Sequence, residues 1–257
     1  MANYDILGNI VIVKFDKKAS SKEKKEFAVN FLKKYKSVRT VLEKTNKFSG
    51  RLRTQKTKYL LGEKTKEALY KENGCLFRLN VDSCYFSPRL SSERKEIATF
   101  VKKGENVLVL FGGVAPFAIT IAKYSKVSKI TSVELSKECN RYAEINVKLN
   151  KMQNRVRVIK SDVKKMSSKI KEKFDRIVMA RPNLKDDFLK PAFEKIKKNG
   201  TIHYYGFYKE EDKDKIKELI EKEAKLAKKK VKILTIKKAG EIGVKKFRYR
   251  ADIRLLN

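Results

Sequence analysis

The chain has 257 residues, 41% hydrophobic and 37% charged, so it holds enough apolar material for a buried core and is not a disordered chain. Sixty-four Lys and Arg against 30 Asp and Glu leave a formal charge of +34. A heat-adapted surface raises Glu together with Lys, so this excess points instead to a polyanion, with nucleic acid ahead of an acidic membrane surface. No apolar run approaches the roughly 20 residues that span a bilayer, and the start MANYDILGNI lacks a signal-peptide pattern. A soluble, cytoplasmic monomer is expected. Cys75, Cys84 and Cys139 have no metal-ligand spacing and read as buried thiols. With His203 the only histidine, neither a His-built metal site nor a serine triad is expected.

In chain order, residues 9–15 (NIVIVKF) read as a strand, and 22–35 as a helix with Phe27, Phe31 and Leu32 on one face. Residues 38–42, 58–61 and 75–81 read as further strands. Together they predict a small α+β domain over 1–82, studded with basic residues such as Arg51, Arg53, Lys56 and Lys58. From residue 83 the pattern becomes alternating. Helices are predicted at 92–101, 115–124, 137–149, 163–171, 188–198 and 213–226. Strands are predicted at 106–111, 129–133, 156–159, 176–179 and 201–207, with a turn at Asn199-Gly200. Two closing strands, 231–237 and 247–256, flank a Gly-containing loop. This is the pattern of an α/β fold with a doubly wound, Rossmann-like parallel sheet and an antiparallel edge, over 83–257.

Such a sheet binds ligands beyond the carboxyl ends of its strands, where the strand order reverses. Four strand ends here carry suitable chemistry. The first enters FGGVAPF (111–117), where Gly112 and Gly113 let the backbone approach a ligand. The second ends in Glu134, about twenty residues on, placed for two ribose hydroxyls. The third ends in Ser161-Asp162, a carboxylate suited to an exocyclic adenine amine. The fourth runs into Met179-Ala180-Arg181-Pro182, a stiff turn. Each alone is commonplace, but their order favours a nucleoside cofactor. A nicotinamide dinucleotide would want a fuller G-x-G-x-x-G loop, whose spacing Ala115 breaks.

Four segments then carry a resemblance: YFSPRLSSER (85–94), the FGGVAPF loop, the MARP turn (179–182) and IHYYGFY (202–208). They resemble the archaeal and eukaryotic family that methylates N1 of guanosine 37 in tRNA, of which the wyosine-pathway enzymes are close relatives. The likeness runs over nearly the whole chain, including ENGCLFRLNV (72–81). It implies S-adenosylmethionine as cofactor, held by Tyr85, Phe86, Arg94, Phe111, Gly113, Glu134 and Asp162, and tRNA, contacted at its anticodon region, as partner. It also implies catalytic roles for Arg53, which steadies guanine O6, for Glu93 as general base, and for Pro182. Such roles suit the chemistry, since guanine N1 must lose a proton and O6 gathers charge.

Three positions depart from the family pattern: Val109 where an acid is usual, Ala115 where a second loop glycine is usual, and Ala180 in place of the Asn of an N-x-P turn. A separate N-terminal domain used by many relatives is not expected. His203, inside the IHYY pattern, reads as structural. Aminocarboxypropyl transfer to a wyosine precursor is a rival reaction, disfavoured by Arg89, Leu90 and Pro182. A second methylation on a wyosine intermediate is compatible, and a decayed, RNA-binding relative is the reading from another class.

Overall fold

Short runs with apolar residues at every second position, broken by Gly, Asn and Lys, set up the first part of the chain as strands. The computed structural model describes residues 3–46 and 48–257, in two compact units, one ending at Pro88 and the other Arg89–Asn257. In the first, β1 (Asn3–Leu7) pairs antiparallel with β2 (Ile10–Lys14). Then α1 (Ser21–Lys34) crosses over to β3 (Thr40–Lys44), parallel to β2, and β4 (Thr57–Gly62) closes the sheet antiparallel. Ser20 begins α1 with a capping box, its hydroxyl accepting from the Glu23 N–H while the Glu23 carboxylate accepts from Ser20. Val11, Val13 and Val41 bury one sheet face against Ala28 and Phe31 of the helix, with Phe27 and Leu32 packed alongside. A separate hairpin joins β5 (Glu67–Glu72) to β6 (Cys75–Asn80).

The second unit begins with α2 (Ser91–Phe100), then alternates β7 (Asn106–Leu110), α3 (Pro116–Tyr124), β8 (Lys129–Glu134), α4 (Lys137–Leu149) and β9 (Val156–Lys160). It continues through β10 (Phe174–Met179), α5 (Leu189–Lys195), β11 (Ile196–Lys209), α6 (Lys215–Leu226), β12 (Val231–Gly243) and β13 (Lys246–Leu255). These strands form one sheet in the order β12-β13-β11-β10-β7-β8-β9, parallel except that β13 runs antiparallel to both neighbours. The order reverses at β7, flanked by β8 and β10, which places the predicted switch point there.

The period of two sorts each strand's residues between faces. Ile202 and Tyr204 of β11, with Tyr249, Ala251 and Ile253 of β13, enter the large core under α5 and α6. The alternate residues, His203 and Tyr205 of β11 and Arg250 and Asp252 of β13, are buried on the opposite face, where α2 lies. All three cysteines are buried free thiols.

Several predicted elements change in the folded chain. β1 and β5 were not anticipated, although Asn73-Gly74, both at positive φ (46° and 59°), is the turn signal that closes β5 on β6. The helix predicted at 163–171 is a shorter 3₁₀ turn, Val163–Ser168. Asn199-Gly200 is no turn between helix and strand: β11 begins at Ile196 and passes through it as an irregularity, with Asn199 at φ 62°. A Cβ on Gly200 would lie 2.8 Å from Ile196 and 2.9 Å from the Asp175 carbonyl, so close approach is its role. The predicted Gly-containing loop before β13 is mostly strand, because β12 continues to Gly243 and pairs with β13 to the tip.

Candidate active site

The loop from β7 to α3 turns sharply. Phe111, Gly113 and Ala115 all take positive φ (59°, 55° and 67°) within five residues. Gly112 lies tight on β8, where a Cβ would meet the Ser132 hydroxyl at 2.1 Å. Ala115 has no such excuse of space. It sits fully buried in the left-handed region as the residue before Pro116 opens α3, a conformation that costs an L-residue roughly 1–2 kcal/mol. The missing second loop glycine is therefore absorbed as strain, with the loop shape kept.

That shape brings the loop onto Glu134. The Gly113 N–H donates to one oxygen of its carboxylate at 2.9 Å, and the Ser136 N–H to the other at 2.8 Å. The carboxylate is thus fixed at the strand end, half-buried, with lone pairs left for two further donors. The neighbouring strand end follows, its Ser161 N–H bonded to the Glu134 carbonyl at 2.9 Å. Asp162 caps the 3₁₀ turn after β9 by accepting from the Lys164 N–H at 2.9 Å and is likewise half-buried. Phe111 packs edge-on against Phe188 at 4.9 Å, forming an apolar wall beside the loop. Two adjacent acceptors and an apolar wall fit the hydroxyls, amine and ring faces of a nucleoside, and Phe111, Gly113, Glu134 and Asp162 lie at the ends of neighbouring strands.

The turn after β10 carries Ala180 and Pro182, both half-buried. Between them Arg181 is buried and acts as a staple. Its guanidinium donates to the carbonyls of Leu184 (2.7 Å) and Asp186 (2.6 Å) and lies 5.6 Å from the Tyr204 ring centre. Sequence reading quoted Arg181 only as part of the turn and gave it no role; an Arg two positions beyond the apolar end of β10 is the only trace.

Glu93 and Arg94, on the first turn of α2, are 7% and 2% exposed, so they are not a solvated surface pair. Glu93 Oε1 accepts from the Tyr205 hydroxyl at 2.8 Å and from Arg250 at 2.5 Å. Arg94 lies over Phe117 of α3 at 5.9 Å, and Phe117 lies 6.0 Å from Tyr205, so this cluster reaches the first turn of the helix after the β7–α3 loop. From Arg250 a chain of buried and half-buried charge continues. Arg250 also bonds Glu96 at 3.1 Å and both oxygens of Asp252 at 3.0 and 3.2 Å, and Lys237 bonds Glu96 at 2.5 Å. Asp252 meets His203 Nδ1 at 2.6 Å, while Nε2 of the same ring faces Arg176 at 2.7 Å. Arg176 closes the chain on Glu105 through two bonds of 2.8 and 3.0 Å.

A guanidinium can only donate, so Nε2 of His203 must accept and the proton sits on Nδ1, donated to Asp252. Burial pushes the His203 pKa below its ordinary value, against the pull of Asp252, and the ring is neutral. Burial disfavours ionisation of Glu96 as well, but the bonds from Lys237 and Arg250 outweigh it and hold its carboxyl below the usual range. His203 is thus held in a buried polar chain. Sequence reading missed Tyr205, Arg250, Asp252 and Arg176. The trace of Arg250 and Asp252 is the alternation in FRYRADIRL (247–255), where charged residues occupy every second place of an otherwise apolar strand.

In the small unit, Arg53 stands at φ 53° with its guanidinium 5.5 Å from the ring centre of Tyr85 and 6.0 Å from that of Phe48; the two rings meet edge-on at 4.9 Å. Asp82 ties their segments together by accepting from the Thr57 hydroxyl (2.7 Å) and Lys66 (2.6 Å), and Gln55 bonds the Val81 carbonyl at 2.9 Å. Phe86 turns instead to Tyr70 and Phe77, at 5.3 and 5.6 Å. Among the described residues no group of three or more His, Cys, Asp or Glu is arranged to hold a metal, and no helix is long and apolar enough to cross a membrane.

Sequence comparison matches residues 68–234 to the TRM5/TYW2 methyltransferase domain and residues 1–65 to the TYW2 N-terminal domain. A Nanoarchaeum equitans protein named tRNA (guanine(37)-N(1))/4-demethylwyosine(37)-methyltransferase Taw22 is 33% identical, over 99% of this chain and 100% of its own length. Among solved structures, Trm5b from Pyrococcus abyssi superposes with a TM-score of 0.86 at 32% identity, covering 99% of this chain and 75% of that one. TYW2 from M. jannaschii, solved in complex with AdoMet, superposes with a TM-score of 0.76 at 26% identity, covering 99% of each chain.

Proposed function

The chain belongs to the TRM5/TYW2 methyltransferase family, and on that premise we propose that it is an S-adenosylmethionine-dependent methyltransferase that modifies N1 of guanosine 37 in tRNA. The observation that carries this reading is the Glu134 carboxylate, fixed by two loop amides at the switch point of the sheet with Asp162 at the next strand end. Glu134 would take the ribose hydroxyls of the cofactor, Asp162 its adenine amine, and Phe111 its apolar face, with Gly113 giving the loop room. Tyr85, Phe86 and Arg94 complete the set assigned by resemblance. Bound there, S-adenosylmethionine supplies a methyl group on a sulfonium that departs as a neutral thioether.

The rest of the reaction belongs to the chain's own residues. Guanine N1 gives its proton to Glu93 and its electron pair to the methyl carbon. The Arg53 guanidinium, held by the Phe48 and Tyr85 rings, steadies the charge gathering on O6. Pro182, on the loop stapled by Arg181, shapes the side of the base pocket where Ala180 replaces a polar residue. The small basic α+β unit serves the RNA, and the enzyme acts as a cytoplasmic monomer. The match to a relative named for both guanosine and 4-demethylwyosine methylation makes a second methylation part of the same proposal.

Nucleoside mass spectrometry of tRNA incubated with protein and cofactor tests it. N1-methylguanosine at position 37 is expected, and an aminocarboxypropyl product would overturn the choice of reaction. Glu134→Ala should weaken S-adenosylmethionine binding by about 1.5–3 kcal/mol in calorimetry, the worth of hydrogen bonds to a charged acceptor. Undiminished affinity in a folded variant would remove the ribose from Glu134. Affinity for tRNA should fall steeply with salt, with log K changing by roughly −0.7 to −0.9 per log salt for each phosphate neutralised. A flat salt dependence would mean that the +34 charge has no part in binding.

A further inference from the structure

A carboxylate that is to accept a proton must be held in place and must offer an oxygen free of donors. Inside a protein a buried carboxylate also needs hydrogen-bond partners for its charged form. Glu93, 7% exposed, has such partners on one oxygen. Oε1 takes two donors, the Tyr205 hydroxyl at 2.8 Å and Arg250 at 2.5 Å. Oε2 accepts no hydrogen bond among the described residues, and Lys237 stands 4.0 Å from it, beyond hydrogen-bonding distance. The charged and titratable groups around this carboxylate are Arg94 and Glu96 on its own helix, His203 and Tyr205 on β11, Arg250 and Asp252 on β13, and Lys237 on β12. Arg250 is in turn fixed by Glu96 and Asp252, so it cannot swing away from Glu93.

We propose that Tyr205 and Arg250 are positioning residues for methyl transfer, which hold Oε1 of Glu93 with two donors to its charged form and leave Oε2 as the oxygen that receives the guanine N1 proton. This rests on Glu93 being the proton acceptor, as read above. Tyr205 suits the task because burial, then the nearby Glu93 charge, raises its pKa well above the ordinary value, so the hydroxyl stays a donor at any working pH. The Tyr205 hydroxyl is not required by packing, since phenylalanine would fill the same place against Phe117.

The test is the pH dependence of single-turnover methylation of a guanosine-37 transcript, by the full chain with saturating S-adenosylmethionine. Tyr205→Phe keeps the ring and removes one donor to the charged form of Glu93. Its acid limb should move up by roughly one to two pH units, the shift equivalent to a hydrogen bond to a charged group. The rate should recover towards wild type at alkaline pH, which a packing defect would not allow. Arg250→Lys keeps the charge without the planar fork and should shift the limb in the same direction. An acid limb unmoved in both variants, or a loss equal at every pH, overturns the proposal. Glu93→Gln separates the two readings. If it loses activity while Tyr205→Phe leaves the profile in place, the positioning role falls alone. If it keeps full activity, Glu93 is not the acceptor and both fall.

Discussion

Glu93→Gln is expected to lower the single-turnover rate of guanosine-37 methylation by about 10²–10⁴-fold, the usual contribution of a general base, while cofactor and tRNA affinities stay near wild type. Glutamine preserves the shape of the buried side chain, and its carbonyl oxygen can still accept from Tyr205 and Arg250. Arg250 also retains Glu96 and Asp252 as counter-charges, so the fold should survive. What is lost is the ability to take a proton. Arg53→Lys should be slow as well, because an ammonium cannot reproduce the planar group that lies over Tyr85 and Phe48. A transcript with adenosine at position 37 is the control: equal rates on adenosine and guanosine would contradict guanine-N1 specificity. A transcript carrying the wyosine intermediate, run alongside, reads the second methylation.

Arg250→Met should cost about 3–5 kcal/mol of unfolding free energy, measured by denaturant titration at neutral pH, because it leaves Glu93 and Asp252 buried without their shared cation. Methionine fills much of the same volume, so a loss this large would be electrostatic, and a loss under 1 kcal/mol would mean that water or Lys237 replaces the guanidinium. The same chain of charge predicts how stability varies with pH. The His203 pKa is depressed by burial, so its contribution is fully present above about 6.5, the free imidazole value. It drains away as pH falls below that, because the unfolded chain takes up a proton that the buried ring refuses. Asp252 adds a second loss at lower pH. Burial works against its charged form, but the bonds from His203 and Arg250 depress its pKa overall, and that stabilisation goes as the carboxylate is protonated. Thermal melts should therefore decline between pH 7 and pH 5, and His203→Gln should flatten that part of the curve.

Much of this protein was legible before it folded. Alternation of apolar strands and amphipathic helices from residue 83 onward dictates a parallel, doubly wound sheet, and that sheet dictates where a ligand sits. Gly113, Glu134 and Asp162 could be placed on one rim from position alone because each lies at or just beyond a strand end, and in a sheet of this topology those ends share one edge. Local chemistry, such as the Ser20–Glu23 capping box, was likewise written in consecutive residues. Charge alone pointed to nucleic acid.

The tertiary structure decided what sequence distance conceals. Tyr205 and Arg250 lie 112 and 157 positions from Glu93, and nothing local marks them as its partners. They meet because β11 and β13 pair in a register that sets Tyr205 opposite Arg250 and His203 opposite Asp252, on the sheet face that α2 covers. A one-residue slip of that register would turn the whole polar set into the apolar core beneath α5 and α6. The strain at Ala115, the staple made by Arg181 and the passage of β11 through Asn199-Gly200 have the same origin. Ala115 takes a left-handed φ that its side chain disfavours, and Arg181 is drawn into the interior by carbonyls of its own loop, because the packing of the strands and helices around them decides both. Periodicity reports which face a residue lies on; which residues then touch across that face is set by long-range pairing, and a single sequence does not encode that in any local pattern.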